Sequence, residues 1–130
     1  MRKIFLVALI ISLPLIVAAQ SKKTIAQDLT IEEFKAKLET SPNAVLLDLR
    51  TPEELRKGTI ANAEHIDYFQ KDFENQIKNL DKDKVYLIYC AAGGRSEETK
   101  ELMVKAGFKE VYNLSDGFDG WKKKKMPIQQ

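Results

Sequence analysis

The sequence predicts an α/β domain, a central parallel sheet of about five strands with helices on both faces. Three observations carry this. The runs AVLLDL (44–49) and VYLIY (85–89) are apolar throughout rather than alternating, as expected of strands covered on both sides. Segments with helical spacing of apolar residues lie between such runs. The connections are short and built from Gly, Pro, Asp, Asn and Ser. A chain of 130 residues, 44% hydrophobic and 31% charged, is long enough for one domain with one core and is globular in composition.

The first stretch is set apart from the fold. Arg2 and Lys3 precede an apolar run from Ile4 to Val17, and Val17-Ala18-Ala19 offers the small residues read at a cleavage site. Residues 1–19 are therefore expected to be a secretory signal peptide, 20–23 a flexible leader and 24–128 the domain. An uncleaved anchor is the competing expectation, but the run is short for a bilayer span and Pro14 interrupts it. No cysteine comes directly after the run, which argues against a lipid anchor, and no stable membrane attachment is expected after cleavage. Loss of residues 1–19 removes Arg2 and Lys3 and no acidic residue, so the formal charge of +2 falls to about zero. A neutral surface argues against a nucleic-acid partner.

The elements can be placed in chain order. Thr24–Leu29 reads as a short edge strand. Thr30 and Glu33 form a capping box for a helix over Ile31–Glu39, with Ile31, Phe34 and Leu38 on its inner face. Ser41-Pro42-Asn43 breaks that helix, and Ala44–Leu49 is a buried strand. Thr51 and Glu54 form a second capping box, with Pro52 at the first helical position, and this helix ends by Gly58. Ile60–Ile66 is expected as a third strand. Phe69, Phe73, Ile77 and Leu80 give helical spacing over Phe69–Leu80. Val85–Tyr89 is the fourth strand, and a helix is expected from Ser96, with Gly107 as its stop. Val111–Leu114 is the last strand, Ser115–Gly120 a loop, and Trp121–Lys125 a short basic helix. Lys122–Lys125 reads as a solvated charged face, with docking of an acidic partner as the functional alternative. Trp121 reads as a core anchor.

In such sheets ligands bind outside the carboxyl ends of the strands. That edge gathers Asp48–Thr51, His65–Asp67, Cys90–Arg95 and Ser115–Gly117. Cys90 is the only cysteine, so it cannot form an internal disulfide. By itself a lone cysteine at a strand end reads as a small buried hydrophobe. The residues after Cys90 change that reading. Ala91, Ala92, Gly93 and Gly94 are small enough to let backbone N–H groups converge, Arg95 adds a positive charge, and a helix begins at Ser96. Converging amides and the positive end of a helix both favour a thiolate. Asp48 and Arg50 stand beside this loop as supporting residues. They either orient it or, as the simpler expectation, Arg50 makes a local ion pair with Glu53 or Glu54. His65 is the only histidine, but a thiolate stabilised by dipoles needs no general base, so it is expected to pack the strand end.

The segments VLLDLRTPEE, GTIANAEHI, YCAAGGRS and AGFKEVYNLSDGFDGW, in that order, resemble the successive signatures of single-domain rhodaneses. The likeness covers about Thr24 to Pro127 and implies the rhodanese-like three-layer fold. It also implies a sulfurtransferase in which Cys90 is the catalytic nucleophile and carries a sulfane sulfur as a persulfide. The loop Ala91, Ala92, Gly93, Gly94, Arg95 and Ser96 would bind the persulfide and the donor's anion. Neither a metal nor an organic cofactor is implied. The expected partners are a small-molecule or protein-borne sulfur donor and a thiol or cyanide acceptor, in a monomer exported to a bacterial periplasm.

The departures from the family bear on the donor. Many members carry Arg where this chain has Ala91, usually His where it has Thr59, and commonly Gly where it has Asp116. Loss of one charge-assisted contact costs a dianionic donor about 1.5–3 kcal/mol. Thiosulfate is therefore expected to be a weak donor and a persulfide or thiol-borne donor a better one. Two alternatives remain. One is a non-catalytic module or partner-specific sulfur relay. The other is a cysteine phosphatase or arsenate reductase, although those loops place five residues between Cys and Arg and this one places four.

Overall fold

The computed structural model describes residues 10–17 and 23–130. The expected signal segment falls largely on residues outside these. Within the part described, 10–17 carries no regular secondary structure, and no described helix is long and apolar enough to cross a membrane.

Ten elements alternate along the domain: β1 (Ile25–Leu29), α1 (Ile31–Thr40), β2 (Val45–Asp48), α2 (Pro52–Leu55), β3 (Glu64–His65), α3 (Phe73–Lys78), β4 (Val85–Tyr89), α4 (Gly94–Lys105), β5 (Glu110–Leu114) and α5 (Gly117–Lys123). The five strands form one parallel sheet in the order β1-β5-β4-β2-β3. Alternate residues of a strand point to opposite faces, and β4 shows why its sequence cannot alternate in polarity. Leu87 and Tyr89 enter a core with Ile31, Phe34, Phe118 and Trp121, whereas Tyr86, Ile88 and Cys90 enter a second core with Phe73, Ile77, Met103 and Phe108. Each face is closed by helices, α1 and α5 on one side and α3 and α4 on the other. Trp121 is an anchor as expected, buried edge-on against Phe34 with its indole N–H donating to the Pro127 carbonyl at 2.8 Å.

Both capping boxes form with all their hydrogen bonds. Besides α4, which opens at Gly94 rather than at Ser96, three elements differ from expectation. The third strand shrinks to Glu64–His65, because a turn closes from Ala63 N–H to the Ile60 carbonyl and Asn62 adopts φ 68°. The helix expected from Phe69 begins only at Phe73, because the Asp67 carboxylate takes the Phe69 N–H in a tight side-chain turn. Phe69 itself is 66% exposed. The last helix starts at Gly117 rather than Trp121, because the first N–H groups of α5 bond the carbonyls of Cys90 and Ala91.

Arg50 also departs from expectation, since it does not pair with the Glu53 or Glu54 carboxylate. It is 1% exposed and lies in a fork against Asp48, also 1% exposed, with Nη2 to Oδ2 at 2.7 Å and Nε to Oδ1 at 3.0 Å. Its remaining donors reach the carbonyls of Gly58 (2.7 Å) and Glu54 (3.2 Å), and its guanidinium sits 3.9 Å from the Phe118 ring centroid. One buried cation thus ties the end of β2 to the last turn of α2, to Gly58 beyond it and to the start of α5. Removing its counter-charge leaves an uncompensated buried guanidinium, a cost of about 3–5 kcal/mol. The variant Asp48→Ala is expected to lose stability on that scale, read as a lowered midpoint of urea unfolding at unchanged slope.

Candidate active site around Cys90

Cys90 directly follows β4, and α4 opens four residues later at Gly94. Cys90 Sγ accepts the Gly93 N–H at 3.1 Å and lies 3.3 Å from Ser96 Oγ. Burial pushes the thiol's pKa up. The Ser96 hydroxyl and the N–H groups of Ser96, Gly93 and Ala92 oppose this and prevail, so the thiol lies below its ordinary value. Ser96 Oγ is also 3.1 Å from the Gly93 carbonyl. Its single proton serves one acceptor at a time, and a thiolate is the stronger of the two.

The direction of the loop's amides has an identifiable cause. The first N–H groups of a helix lack intrahelical partners, and in α5 two of them are taken by the loop: Phe118 N–H donates to the Cys90 carbonyl at 2.8 Å and Asp119 N–H to the Ala91 carbonyl at 2.9 Å. With carbonyls fixed outward toward α5, the following amides turn inward to the sulfur. The two segments meet backbone to backbone. A Cβ on Gly117 would stand 2.3 Å from the Ala91 carbonyl oxygen, and one on Gly93 would stand 2.0 Å from that of Ser115, both at positive φ.

Of the residues singled out from the sequence, Ala92, Gly93 and Ser96 are brought to the sulfur, while Ala91 gives its carbonyl to α5. Arg95 turns its Nη1 and Nη2 to both oxygens of the Glu54 carboxylate at the rim, at 2.9 and 2.7 Å, while staying close enough to Cys90 for the thiolate's charge to favour its own. Phe69 lies against the same guanidinium, 5.4 Å from centroid to Cζ. Asp48 and Arg50 act at one remove, by holding α2 and hence Glu54. His65 is exposed rather than packed, and its ring bonds the Arg50 carbonyl at the end of β3. Asp116 is exposed and makes no capping bond. Thr59 pairs its backbone with Gln129. Lys122 and Lys123 fall in the last turn of α5, away from its loop-facing start, and Lys124 pairs with Glu32 at 2.6 Å.

Glu54, Phe69 and Tyr68 are site residues that sequence reasoning did not single out for the site. Glu54 was visible only as a helix cap and as a candidate partner of Arg50, whereas Gly117 stood in the expected carboxyl edge without any sign of its close approach to Ala91. Tyr68, whose hydroxyl bonds Glu98, is close enough to Cys90 for the thiolate's charge to weigh on its phenol. Cys90 itself is only 1% exposed and contributes to the core between the sheet and α3/α4. Its sulfur therefore stands at a boundary, apolar on one side and lined by donors on the other.

Gly93→Ala is expected to disrupt the loop, seen as a thiolate absorbance titration moved to higher pH and a reduced melting temperature. Gly94→Ala, where an added Cβ meets open space, leaves both unchanged. The depressed thiol pKa means that Cys90 alkylation by iodoacetamide should titrate below the ordinary thiol range, rising as pH passes upward through that lowered value. Ser96→Ala removes one stabilising donor and should shift the midpoint of that profile upward.

Comparisons with known proteins agree with the fold. Residues 30–124 match the rhodanese-like domain family. The chain is 32% identical over 101 residues to a putative sulfurtransferase, YtwF, of Bacillus subtilis, covering 78% of this chain and 95% of that one. It is 36% identical over 78 residues to a thiosulfate sulfurtransferase, GlpE, of Coxiella burnetii, covering 60% of this chain and 71% of the relative. Among solved structures, a rhodanese-like domain protein from Staphylococcus aureus superposes with a TM-score of 0.66 at 29% identity, over 80% of this chain and 99% of that one. A rhodanese-related protein from Thermoplasma volcanium gives 0.68 at 26% identity, over 79% and 97%. The family match over residues 30–124, the sequence identities and the shared fold together place this chain in the rhodanese-like domain family, among relatives named as sulfurtransferases.

Proposed function

We propose that this protein is a sulfurtransferase that moves a sulfane sulfur from a persulfide or thiol-borne donor to a thiophilic acceptor through a persulfide on Cys90. The observation that carries the reading is the cradle of backbone N–H groups and the Ser96 hydroxyl around a buried sulfur whose pKa is lowered. Fixed donors of this kind stabilise a negative charge without reorganising. The Cys90 thiolate attacks the outer sulfur of R–S–S⁻. A new S–S bond forms as the old one breaks, and its electron pair leaves on R–S⁻. The sulfur now carried on Cys90 holds the negative charge under the same amides. A second nucleophile (a thiol, cyanide or a partner's cysteine) attacks that outer sulfur and returns the Cys90 thiolate, a ping-pong cycle that needs no cofactor.

Preference for a thiol-borne donor has two supports. Ala91 offers no charge to a dianion. A groove of about 490 Å³, walled by Tyr68, Phe73, Thr99 and Leu102 with Gln70 and Lys71, has Tyr68 in common with the surroundings of Cys90 and offers room for an organic R group. Export to a periplasm, from the sequence of residues 1–19, belongs to the same proposal. A second reading, a relay loaded only by one protein partner, is favoured by the 1% exposure of Cys90.

Intact-mass spectrometry after exposure to cysteine persulfide or thiosulfate separates these readings. A gain of about 32 Da on wild type and none on Cys90→Ser is expected, with loading by cysteine persulfide about ten- to hundredfold more efficient than by thiosulfate, as the lost contact implies. A thiol refractory to both donors supports the relay, and efficient thiosulfate turnover refutes the donor preference.

A further inference from the structure

We propose that Glu54 is a specificity-determining residue of the sulfur-transfer site, neutralising Arg95 and so selecting singly charged persulfide donors over the thiosulfate dianion; this rests on the sulfurtransferase reading. Arg95 carries the one cationic side chain of the loop 90–96, and Glu54 occupies it in a two-point pair. Such fork geometry is the strong form of a carboxylate–guanidinium contact. It engages two of the five guanidinium N–H groups and compensates the cation's charge, so an incoming oxyanion meets hydrogen-bond donors without an uncompensated positive charge.

Glu54 is not a loosely held surface carboxylate. Its Oε2 accepts the Thr51 N–H at 2.8 Å, its own N–H donates to Thr51 Oγ1 at 3.2 Å, and its carbonyl receives Arg50 Nη1 at 3.2 Å. Swinging away from Arg95 would open the cap of α2. Phe69 covers the guanidinium as well. The Arg95 hydrogen bonds, followed by the Thr51 cap, hold the Glu54 carboxyl down to about 2, so it stays charged at any working pH. A donor approaching the rim therefore meets a cation already compensated and a fixed negative charge beside it. A second negative charge on the donor adds repulsion with no free cation to offset it. A persulfide presents one charge at the reacting sulfur and can place its organic part elsewhere.

The test is the ratio of kcat/KM for thiosulfate to that for cysteine persulfide, in wild type and Glu54→Gln. Gln keeps an acceptor for the Thr51 N–H and for one Arg95 donor while removing the charge. The ratio is expected to rise about tenfold or more, through a lower thiosulfate KM at similar kcat, and the gain should vanish in the double variant with Arg95→Gln. An unmoved ratio, or a gain that survives the loss of Arg95, overturns the assignment of Glu54 while leaving sulfur transfer intact. Loading of wild type by neither donor overturns both. Wild type supplies an independent measurement should Glu54→Gln fold poorly. With Arg95 already compensated, thiosulfate KM should not rise as salt screens the rim, and a several-fold rise with salt overturns the proposal.

Discussion

The site depends on two carbonyl groups being held the wrong way round for a helix. Cys90 and Ala91 follow a strand and precede a helix, and nothing in that connection alone decides where their peptide groups point. The open N-terminus of α5 decides it by supplying Phe118 and Asp119 N–H groups to those two oxygens. Once the oxygens are fixed, the next amides along the loop face the sulfur, and the thiol is stabilised as its anion in spite of burial. Gly93 and Gly117 are the steric condition for this contact, since each lies where an added Cβ would overlap a carbonyl of the other segment.

Around that contact the molecule is organised in shells of charge. The innermost charge is the sulfur itself, held by the Ser96 hydroxyl and backbone N–H groups, with the Arg95 guanidinium near enough to feel its charge. Beyond it lies the Arg95–Glu54 pair at the rim, and beneath that pair the fully buried Asp48–Arg50 fork. The two pairs communicate through one residue, because Arg50 binds the Glu54 carbonyl while the Glu54 carboxylate binds Arg95. The buried fork thus positions a rim charge it never touches. In this arrangement both side-chain cations are compensated by carboxylates, so the anion at the centre is stabilised mainly by hydrogen-bond donors rather than by a free cation.

The order of strands and helices, both capping boxes, the double-sided burial of the sheet and the Cys90 loop were legible in the sequence. They were legible because each depends on local chemistry: side-chain size, β-branching, a cap three residues from its partner. The errors also have local causes. The Phe69 repeat mimicked a helix, but the Asp67 side chain captured the backbone first. The third strand was cut short by a left-handed Asn62. The simpler expectation for Arg50, a pair with the nearest carboxylates along α2, gives way because the low dielectric of the interior favours the forked contact with Asp48 two residues back.

By itself the sequence determined the kind of site: a lone thiol at a strand end, succeeded by residues too small to block converging amides and by the start of a helix. Only the tertiary structure decided which groups meet there. The Glu54–Arg95 pair spans 41 residues and the bonds from α5 to the loop join segments from opposite sides of α4. Pairings over such distances are set by the register of parallel strands and the packing of helices on them. No local pattern encodes a contact whose geometry exists only after the sheet has formed.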